Sequence, residues 1–126
     1  MMGTRIVVID DDADLRKAMS AILRLDGHEV TGFADATDAI SHIEGGLPVD
    51  VILLDLMMPI MNGWEFCERR RRSATLNKVP VIIVTARQSI DPPAGVSEVL
   101  LKPFDPQRLE DAIARALATR DGSPAS

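Results

Sequence analysis

Cysteine is nearly absent from the sequence, which contains only Cys67 among its 126 residues. A single thiol cannot form a disulfide within the chain, so a disulfide framework is excluded, and nothing in the sequence indicates secretion. No apolar run approaches the ~20 residues that a membrane-spanning helix requires. Residues 1–5 contain neither the apolar region nor the cleavage pattern of a targeting signal. We therefore expect a cytoplasmic protein that makes no contact with a membrane.

Positive charge is also scarce, since 14 lysine and arginine residues stand against 19 aspartate and glutamate residues, for a net charge of −5. Nonspecific binding of nucleic acid requires a basic face, so we expect no direct contact with nucleic acid. The length fits one domain, which we place at residues 1–120. Residues 121–126 are rich in glycine, serine and proline, and we predict that they form a disordered tail.

Short apolar runs alternate with amphipathic stretches along the whole chain. Runs rich in β-branched residues indicate strands that are buried on both faces. Such strands are predicted at residues 6–9, 29–33, 49–54, 81–84 and 96–101. Helices are predicted to begin near Asp12, Asp35, Trp64 and Asp105, each at a capping residue or after a turn. This alternation predicts an α/β fold with a parallel sheet and helices on both faces.

Four of the predicted strands end at side chains that can carry chemistry. These side chains are Asp10, Asp11 and Asp12 after the first strand, Asp55 after the third, Thr85 after the fourth and Lys102 after the fifth. In an open parallel sheet, ligands bind outside the carboxyl ends of the strands. Clustered carboxylates repel one another and suit a hard cation such as Mg²⁺. Asp55 could then attack phosphorus to give an aspartyl phosphate, while Lys102 and Thr85 contact the phosphate oxygens.

Each of these residues also has an ordinary structural interpretation. The three consecutive aspartates could serve only to offset the dipole of a helix N-terminus. Thr85 alone would more often be a simple strand residue, and Lys102 alone a surface lysine. A calcium loop is excluded because Leu15 stands where glycine is required and Ala21 where a bidentate glutamate is required. The coincidence of reactive side chains at four strand ends favours the functional interpretation.

The chain resembles the receiver domain of two-component response regulators, the CheY-like family. The matching pieces are residues 8–12, residues 53–59 with Gly63, residues 84–86 and residues 102–104. They follow the family's order and, except in one segment, its spacing, over about residues 6–117. The resemblance implies a flavodoxin-like, doubly wound five-stranded parallel sheet with the strand order 2-1-3-4-5.

The resemblance also implies a role for each residue of the site. Asp55 would be the phosphoacceptor and a metal ligand, Asp11 a direct Mg²⁺ ligand and Asp10 a ligand that acts mainly through water. The backbone carbonyl of Met57 would complete the protein's share of the coordination. Thr85 and Lys102 would bind the phosphate, with a cis peptide bond between Lys102 and Pro103. The phosphoryl donor would be a sensor histidine kinase or a histidine phosphotransfer protein, and the downstream effector protein is not identified.

The segment between Thr85 and Lys102 departs from the family because only sixteen residues separate them, several fewer than usual. This segment also contains Pro92 and Pro93, and proline disfavours a helix both at its own position and at the one before it. We predict that the family's fourth helix is shortened or replaced by a loop. Val99 stands where the family usually has an aromatic residue. Our hypothesis is that phosphorylation is sensed in an unconventional way, through ordering of the loop at residues 87–94.

Three functions remain open at this stage. The first is a receiver with slow autodephosphorylation, since by resemblance Met57 and Arg87 border the path of the attacking water and neither aids hydrolysis. The second is a haloacid-dehalogenase-type phosphatase, which would require an aspartate at position 57. The third is a pseudo-receiver that binds proteins without being phosphorylated. The chain beyond the last helix is too short for a DNA-binding domain, so we expect output through a partner, a phosphate relay or a separate domain.

Several other side chains invite simpler interpretations. Trp64 is expected to pack at the start of its helix, and Cys67 is expected to pack in the core. Residues 69–72 are four consecutive arginines, which we interpret as a solvated helix face. His28 and His42 are assigned no role.

Overall fold

The computed structural model describes residues 3–58, 61–87 and 91–120, except for the side chains of residues 119 and 120. Strands and helices alternate along these residues in the predicted order. The strands are β1 (Arg5–Ile9), β2 (Glu29–Phe33), β3 (Val51–Asp55), β4 (Val81–Thr85) and β5 (Glu98–Leu101). The helices are α1 (Ala13–Leu25), α2 (Ala36–Glu44), α3 (Gly63–Arg71) and α4 (Pro106–Arg120). The predicted tail, residues 121–126, lies outside the described residues.

The five strands form one parallel sheet in the order β2-β1-β3-β4-β5. This order confirms the flavodoxin-like fold that the resemblance implies. In the register of the sheet, Ile9 lies opposite Leu54 and Thr85 lies opposite Leu101. The carboxyl ends of β1, β3, β4 and β5 therefore meet at one edge, where open α/β sheets bind their ligands.

The strands are apolar throughout because helices cover both faces of the sheet. One face packs against α2 and α3 through a cluster that includes Val7, Ile9, Ile52, Leu54 and Ile83. The opposite face packs against α1 and α4 through a cluster that includes Ile6, Val8, Leu53, Ile82 and Val84. Alternate residues of each strand thus enter different cores, and the sheet holds the strand ends rigidly. Among the described residues, no helix combines the length and the apolar character needed to cross a membrane.

Side chains at the helix starts satisfy backbone N–H groups that have no partner within the helix. Asp12 caps α1 by accepting from the N–H groups of residues 14 and 15, and Asp35 caps α2 by accepting from that of residue 38. Asp105 accepts from the N–H of residue 108 at 2.8 Å at the start of α4. These three caps confirm the predicted helix starts. The start of α3 carries a reciprocal capping box between Asn62 and Glu65, which the sequence analysis did not identify.

The segment between β4 and β5 contains no helix in its described parts, residues 86–87 and 91–97. The predicted replacement of the family's fourth helix by a loop is therefore confirmed for these residues, and residues 88–90 lie outside the described part. Gly95, with a φ of 86°, turns the chain toward β5. The pattern predicted β3 and β5 to begin at Val49 and Val96, which is two residues too early in both strands. Both side chains pack against the core from outside the sheet, and the apolar pattern does not distinguish such packing from strand pairing.

Gly63 allows α3 to begin close to the chain that leaves β3. Its N–H donates to the carbonyl oxygen of Leu56 at 2.8 Å. A Cβ atom at position 63 would lie 2.7 Å from the Cδ1 and 3.0 Å from the Cα of Leu56. Leu56 is fully buried, so it has little room to move away. The absence of a side chain at Gly63 therefore lets the loop after Asp55 close tightly.

Gly63→Ala should destabilise the protein by roughly 1–3 kcal/mol, the range for an added methyl group in a packed core. Urea denaturation would measure the change in the free energy of unfolding. Gly45→Ala is a suitable control because Gly45 has helical backbone angles, and its Cβ would meet only carbonyl oxygens of its own helix. Equal stabilities of the two variants would contradict the close packing described for Gly63.

Candidate functional site

The candidate site lies at the carboxyl edge of the sheet, where the predicted reactive residues meet. Asp10 follows β1 and is 2% exposed, and Thr85 ends β4 and is 1% exposed. Asp55 ends β3 and is partly buried, and Lys102 directly follows β5. Rigid neighbouring strands therefore bring together residues that are far apart in the sequence.

Three carboxylates form the centre of this site. Asp10, Asp11 and Asp55 each offer an oxygen atom, and these oxygen atoms all lie within 4.8 Å of one another. Like charges at this separation repel, and an oxygen-rich acidic group of this kind is suited to a hard divalent cation. The residues present thus fit a Mg²⁺ ion. Asp12, the last of the three consecutive aspartates, instead caps α1.

The pKa of Asp55 is raised from 3.8 to about 6. Burial of the carboxyl group is the main cause, and the negative charge of Asp10 raises the pKa further. The Met57 N–H, which donates to Asp55 Oδ1 at 3.2 Å, and the positive charge of Lys102 act in the opposite direction. Because the raising effects dominate, Asp55 in the site without metal keeps its proton to a higher pH than an ordinary aspartate does. A cation beside the three carboxylates would favour the charged form that a nucleophile requires.

Lys102 reaches the acidic cluster from the end of β5, which lies two strands from β3 in the sheet. Its Nζ lies 3.4 Å from Asp10 Oδ2, and its backbone N–H donates to the carbonyl oxygen of Thr85 at 2.8 Å. The peptide bond between Lys102 and Pro103 is cis, as the resemblance implies. The lysine side chain is 22% exposed, so it lies at the entrance of the site, beside the carboxylates.

Thr85 and Arg87 connect the site to the loop that follows β4. Thr85 Oγ1 accepts a hydrogen bond from the Arg87 N–H at 3.1 Å. The Arg87 guanidinium extends toward Met57, in the loop after β3, and its Nη1 lies 3.9 Å from the Met57 sulfur. Met57 is 52% exposed. Met57 and Arg87, which by resemblance border the path of the attacking water, therefore contact each other. The Met57 backbone N–H also donates a hydrogen bond to the Asp55 carboxylate.

Two residues with a part in the site region were missed or misjudged from the sequence. Arg16, on the first turns of α1, donates from Nη1 to the carbonyl oxygen of Asp10 at 2.7 Å. The sequence signal available for this contact was the position of the arginine, one helical turn after the capping Asp12. Trp64 packs against the core as expected, but its Nε1 also donates to the carbonyl oxygen of Asp91 at 3.0 Å.

The interpretation of the four arginines as a solvated face is wrong at Arg70. This side chain donates to the carbonyl oxygens of Asn77 and Val79, and its burial lowers its pKa. The other three arginines lie at the surface and pair with Glu44 or Glu68. Cys67 packs in the core as predicted, where burial raises the pKa of its thiol to about 11.

A flavodoxin-like sheet with an acidic cluster, a threonine and a lysine at its carboxyl edge defines a signalling domain of the receiver type. The family model described as the response regulator receiver domain matches residues 6–114. The chain therefore belongs to the receiver-domain family of two-component response regulators.

Known proteins similar to this chain agree with that membership. The DNA-binding response regulator MtrA of Mycobacterium tuberculosis is 33% identical over 98% of this chain, and the match covers 55% of MtrA. The response regulator MprA of Mycobacterium bovis is 34% identical over 93% of this chain and 50% of MprA. The chain thus spans about half the length of these curated relatives.

Solved structures give the same result for the fold. A receiver domain protein from Clostridium thermocellum has a TM-score of 0.85 at 26% identity, and the match covers 94% of this chain and 97% of that one. The chemotaxis response regulator CheY4 of Vibrio cholerae has a TM-score of 0.81 at 28% identity, and the match covers 92% of this chain and 100% of CheY4.

The raised pKa of Asp55 predicts a pH-dependent stability in the metal-free protein. A carboxyl group with a higher pKa in the folded chain binds more protons when folded, so stability declines as pH rises from 3.8 to about 6. Asp55→Asn should therefore stabilise the metal-free protein at neutral pH by on the order of 1 kcal/mol, since solvent screens a partly exposed group. The gain should disappear near pH 4, below which the carboxyl group is protonated in both states.

Urea denaturation in the presence of a chelator, at several pH values, would measure this effect. Asp35→Asn changes a carboxylate outside the cluster and keeps a capping side chain, so it should show no such gain. Parallel stability curves for Asp55→Asn and the native protein across this pH range would contradict the prediction.

Proposed function

We propose that this chain accepts a phosphoryl group on Asp55 from a histidine kinase or a histidine phosphotransfer protein. The observation that carries the proposal is the acidic cluster, in which oxygens of Asp10, Asp11 and Asp55 lie within 4.8 Å of one another. Lys102 stands beside it, with its Nζ 3.4 Å from Asp10. Phosphoryl transfer depends mainly on positioning and on neutralising charge, and this arrangement supports both.

The acidic cluster would hold a Mg²⁺ ion through Asp10, Asp11, Asp55 and the backbone carbonyl of Met57. Bound there, the ion would supply positive charge against the oxygens of the incoming phosphoryl group. Asp55 is the nucleophile, because it ends a rigid strand and lies at the centre of the cluster. Its carboxylate oxygen forms the new bond to phosphorus as the bond from phosphorus to the donor's imidazole nitrogen breaks. The electron pair of the broken bond stays with that imidazole.

Lys102 and Thr85 bind the transferred group. The Lys102 ammonium, which pairs with Asp10 before transfer, would pair with a phosphate oxygen after it. The Thr85 hydroxyl accepts from the Arg87 N–H, and its proton can be donated to a second phosphate oxygen. Transfer therefore changes the contacts of one residue at the end of β4 and one after β5.

A phosphatase function is disfavoured by the residue two positions after Asp55. Met57 carries a thioether, which can neither donate nor accept a proton as an acid–base catalyst would. The fit of the carboxylates to Mg²⁺ favours phosphorylation over a pseudo-receiver that only binds proteins. We therefore place the chain among signalling domains that undergo Mg²⁺-dependent phosphorylation and slow autodephosphorylation.

The output and the cellular setting belong to the same proposal. Output would pass through an effector protein, a phosphate relay or a further domain, since the chain spans about half of relatives such as the DNA-binding MtrA. The net charge of −5 favours protein partners over direct nucleic-acid binding by this domain. We place the domain in the cytoplasm, together with the histidine kinase or phosphotransfer protein that would phosphorylate Asp55.

Incubation with Mg²⁺ and a small-molecule phosphodonor should give one phosphoryl adduct per chain, visible as an increase in intact mass. Asp55→Asn should abolish the adduct because an amide is not a nucleophile of this kind. Asp35→Asn is the matched control and should still be modified. Donor hydrolysis without an adduct would indicate a phosphatase, and no reaction at all would indicate a pseudo-receiver.

The contact between Met57 and Arg87 predicts a long-lived aspartyl phosphate, since neither group can act as a general base toward water. Decay of the adduct after donor removal should take minutes or longer, as followed by intact mass. Met57→Glu places a carboxylate beside the path of water and should shorten the lifetime of the adduct by roughly tenfold. This is less than the ~10²-fold rate increase that a well-placed general base provides. Met57→Leu is the control and should decay like the native protein, and a native lifetime of seconds would contradict the prediction.

The loop after β4 is the part of the structure best placed to report phosphorylation. Near its start, the Arg87 N–H donates to the Thr85 hydroxyl. Further along, the loop packs against α3, where the carbonyl oxygen of Asp91 accepts from Trp64 Nε1 and Pro93 is buried. Because Thr85 would bind phosphate, a change there would pass directly to the start of this loop. We propose that its docking on α3 transmits the signal in place of the fourth helix of the family.

Amide hydrogen exchange with and without a phosphate mimic would test this readout. Exchange should change in the segment from Ala86 to Gly95, because the Thr85 hydroxyl, which accepts from the Arg87 N–H, takes on a phosphate oxygen as a further partner. Trp64→Phe removes the hydrogen bond to Asp91 while keeping an aromatic ring, and it should raise exchange in this segment before phosphorylation. Unchanged exchange both there and in β5 would contradict the proposal.

A further inference from the structure

Arg16 contacts the backbone of Asp10 from outside the acidic cluster of Asp10, Asp11 and Asp55. Its Nη1 donates to the carbonyl oxygen of Asp10 at 2.7 Å, at the short end of the ordinary range for a charged donor. The arginine is partly buried on the first turns of α1, so its bond to this carbonyl is partly shielded from solvent. The carbonyl belongs to the peptide that joins Asp10 to Asp11, and both carboxylates belong to the cluster. A bond to that oxygen therefore acts on both residues.

Gly32 in β2 leaves the space in which the Arg16 side chain lies. A Cβ at position 32 would lie 3.1 Å from the Cδ and 3.2 Å from the Cγ of Arg16. Gly32 is not among the glycines with positive φ, so its backbone angles do not require glycine. The small residue at this point of β2 makes room for the arginine stem, which directs the guanidinium at Asp10.

Other bonds hold Asp10 on its remaining sides. Its N–H donates to the carbonyl oxygen of Phe33 in β2 at 3.1 Å. Its carboxylate accepts from the Asp12 N–H at 2.9 Å and from Lys102 at 3.4 Å. Arg16 supplies the contact to the carbonyl, so the peptide between the two aspartates is held at the point where the chain turns from β1 into α1.

The geometry points to Arg16 as a positioning residue for the metal site. It holds the Asp10–Asp11 peptide in the orientation that keeps both carboxylates near Asp55, and its positive charge offsets part of their repulsion. This role rests on the proposed function, since it concerns the affinity of the same acidic cluster for Mg²⁺. Residues that orient metal ligands from outside commonly set affinity in this way.

The same helix provides a matched control. Arg24 lies eight residues further along the chain and donates from Nη2 to the carbonyl oxygen of Val30 in β2 at 3.0 Å. It makes the same kind of arginine-to-carbonyl bond, but its acceptor is not the backbone of Asp10 or Asp11. Arg16→Met and Arg24→Met therefore each remove one arginine-to-carbonyl bond, the second at a more exposed position, and only the first bears on the site.

The test is a Mg²⁺ titration of the whole chain followed by backbone amide chemical shifts, which also report whether each variant is folded. Arg16→Met should raise the Mg²⁺ dissociation constant by about tenfold, the lower end of the effect of such orienting partners. Arg16→Lys can donate one hydrogen bond and should recover part of the affinity. Arg24→Met should bind Mg²⁺ as the native chain does, even if its urea denaturation midpoint falls as far as that of Arg16→Met.

Gly32→Ala keeps the arginine and provides a second variant in case Arg16→Met does not fold. It should push the arginine stem away from Asp10 and weaken Mg²⁺ binding, with a smaller effect than Arg16→Met. If the native chain binds Mg²⁺ and all these variants bind it equally well, the positioning role is overturned while the proposed function stands. If the native chain shows no saturable Mg²⁺ binding, the proposed metal site is overturned and this inference with it.

Discussion

The mutual repulsion of Asp10, Asp11 and Asp55 is the constraint on which the rest of the site depends. Three carboxylates with oxygens within 4.8 Å of one another destabilise a fold unless other groups offset their charge. The protein holds them there by placing them at or just after the ends of parallel strands, with Lys102 paired to the Asp10 carboxylate and Arg16 bonded to the Asp10 carbonyl oxygen. Their arrangement sacrifices stability for function, a compromise that is common where a site must be ready for a ligand.

Most of the fold could be predicted from the sequence because each element carries a local signal. The β-branched runs identified five strands, and Asp12, Asp35 and Asp105 marked the helix starts at which the structure shows caps. The convergence of Asp10, Asp55, Thr85 and Lys102 could also be predicted, since parallel strands end at the same edge. The strand order came from the family resemblance, because the apolar pattern alone does not determine which strands pair.

The remaining features could not be predicted because they depend on contacts between distant segments. Arg16 and Arg70 look like surface cations in the sequence, yet each donates to backbone carbonyl oxygens that only the fold brings near. The contact of Arg87 with Met57 and the bond from Trp64 to Asp91 depend on how the loop after β4 crosses the sheet edge. Long flexible side chains and irregular loops carry little periodic pattern, so their partners follow from tertiary structure alone.

β5 is the last strand in the sheet order β2-β1-β3-β4-β5, so among the described residues one of its edges pairs with no other strand. β5 is only four residues long and begins at Glu98, which is paired with Arg115 of α4. Short strands bearing charged side chains resist the addition of a strand from another molecule, which is how natural sheets avoid edge-to-edge aggregation. The short, charged β5 can therefore form the edge of the sheet without offering a template on which a second molecule adds a strand.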